Sequence, residues 1–76
     1  MNLIGQHVNW EKLKGKPNAS MHETKGFGSL QQLELGERMY IAGDYGLITT
    51  EVESIASDGE SITIKTKNSI YRIEAW

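Results

Sequence analysis

This chain predicts an all-β fold: a small, strongly bent sheet or partly open barrel of about five strands. Three observations carry that expectation. β-Branched residues dominate the stretch from Ile48 to Ile73, which contains no proline, as suits a pleated, half-buried surface. The dipeptides Asp58-Gly59 and Asn68-Ser69 cut the stretch into runs of strand length, with residues that favour turns at the cuts. Within the runs, apolar residues recur at every second position, the period of a strand with one buried face. The chain has 76 residues, 38% hydrophobic and 24% charged, a composition that fits one folded domain rather than a disordered or membrane-spanning one.

In chain order, residues 1–30 form an arm of strand and loop, and residues 31–76 form the β-meander core. The segment from Leu3 to Gly15 reads as a strand, the alternative being a single helical turn from Asn9 with Gly15 as its stop. Lys16 to Gly28 is polar and poor in apolar residues, so it reads as a loop anchored by Met21 and Phe27. Leu33 and Leu35 precede Gly36, after which Met39 and Ile41 alternate with Arg38 and Tyr40, the pattern of a turn feeding a strand. Gly43 and Gly46 flank Asp44-Tyr45 and mark a tight loop. In the next strand Ile48, Thr50 and Val52 share one phase while Ile55 lies in the other, and a bulge near Glu53-Ser54 reconciles them. With Asn68-Ser69 as a two-residue loop, the last hairpin pairs Lys67 with Ile70, Thr66 with Tyr71 and Ile64 with Ile73. That register puts Ile62, Ile64, Thr66, Tyr71, Ile73 and Ala75 on the inner face.

Charge narrows the function classes. The formal net charge is -2, but residues 1–28 carry four lysines against two glutamates, and residues 29–60 carry one arginine against seven carboxylates. Duplex binding draws most of its affinity from a dominant basic face. General nucleic-acid binding is therefore not expected. The absence of cysteine removes disulfides, thiolate metal sites and cysteine nucleophiles. No apolar run approaches the roughly 20 residues of a membrane span, and the start lacks the pattern of a signal peptide, so a cytoplasmic protein without membrane contact is expected. A core this small gains only a few kcal/mol by itself, which makes self-association an expectation too.

Enzyme motifs fail one by one. Gly26-Phe-Gly28 continues to Gln31 where a dinucleotide fingerprint needs glycine, and Gly15-Lys16 lacks the spacing of a phosphate loop. His7 and His22 are the two histidines, too few for a metal site without carboxylates brought in by the fold. Ser29 lacks the second glycine of a nucleophile elbow. No catalytic residue, metal or cofactor is expected. Asn18-Ala-Ser20 fits a glycosylation pattern, but here it reads as a polar loop.

The group with binding chemistry is polar without being acidic. Thr66 and Tyr71 sit at one end of the last hairpin, Asn68 and Ser69 form its turn, Lys65, Lys67 and Arg72 lie behind them, and Thr50 approaches from the neighbouring strand. Hydroxyls, an amide, a tyrosine ring, lysines and an arginine fork suit a phosphorylated or nucleobase-bearing small molecule. The expected site is therefore Thr50, Lys65, Thr66, Asn68, Ser69, Tyr71 and Arg72, near a subunit interface. Trp10, Tyr45 and Trp76 are candidate stacking or contact surfaces. A second reading uses the acidic segment Glu34–Glu60 against a basic groove on a larger protein partner.

Leu35-Gly-Glu-Arg-Met-Tyr-Ile41, the glycine-containing loop after it, a long strand, the Asp58-Gly59 turn and two short final strands together resemble the layout of small SH3-like barrels over residues 33–76. Tyr40 and Tyr45 lack the acidic and tryptophan pattern that accompanies proline-peptide binding in such barrels. Ile48-Thr-Thr-Glu-Val52 with Thr66-Lys-Asn-Ser-Ile-Tyr71 is similar in style to small phage-encoded accessory proteins, some of which sequester nucleotide signals or act in counter-defence. That likeness implies sequestration of a nucleotide signal, in the host cytoplasm if the chain is phage-encoded; the homo-oligomer is expected from the small core.

Overall fold

Among the described residues six strands form, in the order β1 (His7–Lys14), β2 (Lys25–Gln32), β3 (Arg38–Ala42), β4 (Leu47–Asp58), β5 (Ser61–Thr66) and β6 (Ile70–Ala75). The computed structural model describes residues 3–15 and 25–76. Each strand pairs antiparallel with the next, and β1 closes on β6, giving a closed barrel. The all-β class is as the patterning predicts, with six strands instead of five and full closure instead of partial opening. An even strand number allows a simple meander to close with every pair antiparallel, which leaves no free sheet edge at the closure.

The inner face carries the core. Every strand contributes to it: Val8 and Trp10, Leu30, Met39 and Ile41, Leu47 and Val52, Ile62 and Ile64, Tyr71 and Ile73, with Leu3 joining from the N-terminal turn. Burial of each such side chain contributes about 1.5–3 kcal/mol before the entropy of ordering is set against it. Trp10 is a core residue, and its Nε1 donates to the Tyr45 carbonyl oxygen at 2.8 Å.

The structure departs from the sequence pattern in β1, in β2 and at the last turn. β1 starts at His7, not Leu3, because a turn holds Leu3 to Gln6, with Gln6 N donating to Leu3 O at 3.0 Å. Lys25 to Gly28 belong to β2 rather than to a loop; Met21, His22 and Asn18-Ala-Ser20 lie outside the described residues. The β5–β6 turn comes one residue early. Thr66 N donates to Ser69 O at 2.9 Å, so Lys67 and Asn68 are the connecting residues and Ile64 faces Tyr71 instead of Ile73. Moving a turn by one residue changes the pairing by two, and a shift of two preserves facing. Ile62, Ile64, Thr66, Tyr71 and Ile73 are accordingly all buried, while Ala75 at the strand end is exposed.

β4 contains the bulge predicted at Glu53-Ser54, where its register against β5 shifts between Val52 and Ser54. A second shift lies between Arg38 and Tyr40 in the β3–β4 pairing, where Thr49 and Thr50 together oppose Met39. This second bulge reverses the phase expected for Ile48 and Thr50. Leu47 and Thr49 point inward, and Ile48 and Thr50 are exposed. The Thr49 hydroxyl completes the bulge by accepting from Met39 N at 3.0 Å and donating to Thr50 O at 2.7 Å.

Candidate functional site

The bent β4 creates the site. Its first part, Leu47 to Glu51, bonds to β3, and its pairing with β5 begins only at Val52, opposite Thr66. Past that point the β5–β6 turn stands apart from the first part of β4, and the gap between them opens into a cavity of about 1000 Å³. Ile48, Thr49 and Thr50 line one wall, Thr66 to Tyr71 form the other, and Lys12, Lys14 and Gly15 from the end of β1 flank the turn.

Of the residues expected at a binding site, Thr50, Lys65, Thr66, Asn68, Ser69 and Tyr71 all line this cavity. Thr50, Lys65 and Asn68 are exposed, Ser69 is half-buried, and Thr66 and Tyr71 are buried. Thr66 Oγ1 donates to Ser69 O at 3.3 Å, so this hydroxyl holds the turn and offers the cavity only an acceptor. Tyr71 packs edge-on against Trp10 with ring centroids 6.5 Å apart, and Lys12 Nζ stands 5.7 Å from the Tyr71 centroid.

Arg72 does not join them. Strand alternation turns it away from Tyr71, and on the outer surface it donates to Glu11 Oε1 at 2.8 Å and lies 3.4 Å from Glu74 Oε1. The cavity instead draws Lys12, Lys14, Arg38 and Lys67 around Lys65. Five of the eight lysines and arginines of the chain thus line one cavity, and none of its described lining residues is acidic. Lys12, Lys14 and Arg38 come from β1 and β3, far from the hairpin in sequence, and no local spacing marks them. Their convergence is set by the pairing of β1 with β6 and by the bend of β4.

Like charges gathered this way raise the local potential and attract anions to the cavity mouth. The two exposed or half-buried aliphatic side chains, Ile48 and Ile70, add apolar surface beside the cations. The cavity can therefore hold a molecule with an anionic part and a flat or apolar part. Among the described residues, no group of three or more histidine, aspartate or glutamate side chains is placed to bind a metal ion. His7 is exposed and contacts the Trp76 ring edge-on at 5.9 Å.

No protein-family model matches the chain, and comparisons with curated proteins and with solved structures return no match. The fold, a small closed antiparallel barrel compatible with an SH3-like layout, and the geometry of the cavity are what bear on function.

Proposed function

We propose that this protein is a non-catalytic binding protein that captures a small anionic ligand of the nucleotide class in the cavity beside the β5–β6 turn. The observation that carries this reading is the gathering of Lys12, Lys14, Arg38, Lys65 and Lys67 around one cavity in a chain of net charge -2. Phosphate oxygens take the lysine ammonium groups and the Arg38 fork. Asn68, Ser69 and Thr50 offer an amide and hydroxyls for sugar and base edges, and Ile48 and Ile70 offer apolar contact to a base. Sequestration of a nucleotide signal, as the likeness to phage-encoded proteins implies, is the matching biological role, and no cofactor is required for it.

Calorimetric titration with mono-, di- and cyclic nucleotides, with inorganic phosphate as a separate arm, tests the proposal. Saturable heat from a nucleotide is expected, weakened at least about tenfold by Lys14→Ala combined with Lys67→Ala, a loss of some 1.4 kcal/mol. Arg72→Ala should leave the affinity unchanged. Absence of heat with every nucleotide overturns the reading, and equal affinity for phosphate alone removes the nucleotide class from it.

A second reading rests on the far end of β4. All residues from Glu53 to Glu60 are exposed on both faces of the β4–β5 ribbon, and Glu53, Asp58 and Glu60 place three carboxylates there. Such a ribbon suits the basic groove of a larger protein. A partner that is released by moderate salt, and lost on charge reversal at Glu53 and Asp58 but not with Arg72→Ala, is the outcome that selects it.

A further inference from the structure

Strand pairing orders the cations around the cavity. β5 sets Lys65 opposite Ile70, and β1 sets Lys14 opposite the same Ile70. Residues directly opposed on neighbouring strands point to the same face, so Lys14 and Lys65 flank one aliphatic side chain, their Cα atoms two strand spacings, roughly 10 Å, apart. Lys67 follows in the β5–β6 turn, and Arg38 belongs to β3, which is bonded to the facing wall at the start of β4. Arg72, on the outer surface, holds Glu11 and Glu74. Among the described residues, Lys14, Arg38, Lys65 and Lys67 form no ion pair at all, and Arg38 forms none even with Glu51, its partner in the strand pairing.

Four cations without carboxylate partners set the charge that a ligand must bring. At pH 7 a phosphate monoester carries about −1.5 to −2, which leaves at least half of that positive charge uncompensated. A cyclic nucleotide, whose phosphate is a diester, leaves more. Size points the same way. Ligand pockets run from about 300 to 1,000 Å³, and this cavity, at about 1000 Å³, lies at the top of that range, so a mononucleotide with one phosphate leaves much of it to water. A dinucleotide fills the space but brings only diester charge. A phosphate chain on a nucleoside supplies both the volume and the charge.

We infer that the ligand of this cavity is a nucleoside polyphosphate with a chain of about three or more phosphate groups, an inference that rests on the nucleotide reading above. The chain is held between Lys14 and Lys65, with Lys67 at the turn and the Arg38 fork approaching from the facing wall. Ile48 and Ile70 are left to the nucleoside.

Calorimetric titration of the full chain with one nucleoside as its cyclic monophosphate, mono-, di-, tri- and tetraphosphate, at low and moderate salt, tests the inference. Affinity should rise about fivefold or more with each phosphate up to the triphosphate, and salt should weaken the triphosphate more steeply than the monophosphate. Lys14→Gln combined with Lys65→Gln replaces two exposed side chains. It should weaken the triphosphate by about tenfold or more and the monophosphate by less than about threefold, so the monophosphate reports in the same variant that the cavity is intact. A cyclic or monophosphate form bound as tightly as the triphosphate overturns the inference and leaves nucleotide capture standing. So does a double variant that weakens all forms alike. Absence of heat with every member of the series removes the nucleotide reading itself, and the inference with it. Inorganic triphosphate bound as tightly as the nucleoside triphosphate supports the lysine pair as the seat of the chain and overturns the nucleoside.

Discussion

Gly15 shows how a single residue connects backbone geometry to the candidate site. Its φ of +121° lies where L side chains are strained, and a Cβ there meets the Ser69 side chain and the Asn68 carbonyl oxygen. Gly36 has a similarly positive φ of +82°, but open space around it. Gly36→Ala isolates the conformational cost, on the order of 1–3 kcal/mol. Gly15→Ala should cost more than Gly36→Ala, because it also pushes the Lys67-Asn68 turn off the end of β1. Urea midpoints of the two variants measure the difference, and equal midpoints would show that the turn is not packed on Gly15. Arg72→Ala belongs to the opposite class. Its two ion pairs are nearly half exposed, so its loss should change stability by at most about 1 kcal/mol in a chemical denaturation series.

Among the elements, β4 determines the most. The Thr49 hydroxyl serves Met39 N and Thr50 O at a buried bulge, and Thr49→Val keeps the shape while leaving a buried amide without its acceptor. A loss of about 1–3 kcal/mol is expected, with hydrogen-exchange protection falling first at the Met39 amide. Protection unchanged at Met39 would mean that the bulge does not depend on the hydroxyl. The same strand shows what was legible in the sequence. Alternation identified the inner faces of β3, β5 and β6, because period 2 survives a turn misplaced by one residue. It failed in the first part of β4, where an unmarked bulge at Thr49-Thr50 inverts the phase, whereas Val52 and Ile55 showed the bulge between them. It failed in β2 for a different reason: Gly26, Gly28 and Leu30 occupy the positions of one phase and Phe27 those of the other. Two of the three residues on the core side have no side chain to register. The hairpin part of the cavity was readable from its own residue types. Lys12, Lys14 and Arg38 were not, because strand closure, rather than spacing along the chain, brings them there.

At the scale of the whole molecule, stability depends on closure. β6 is bonded on one side to β5 and on the other to β1, so removing residues 70–76 deletes Tyr71 and Ile73 from the core and exposes two strand edges at once. A chain ending at Ser69 should therefore not fold as a weakened barrel. It should lose amide dispersion in a proton–nitrogen spectrum and associate through its open edges. The loss follows from the missing strand and not from where the chain starts or stops, and a circular permutant separates the two. The ends of the barrel strands already meet, with Trp76 N bonded to His7 O, and Gly59 sits in an exposed turn with open space around it. Joining the termini through a flexible linker and opening the chain at Gly59 keeps all six pairings, so the permutant should retain the dispersed spectrum that the truncated chain loses. If the truncated chain keeps its dispersion, the β1–β6 closure is not what holds the barrel together; if the permutant also unfolds, the uninterrupted β4–β5 ribbon contributes more than its six pairings require.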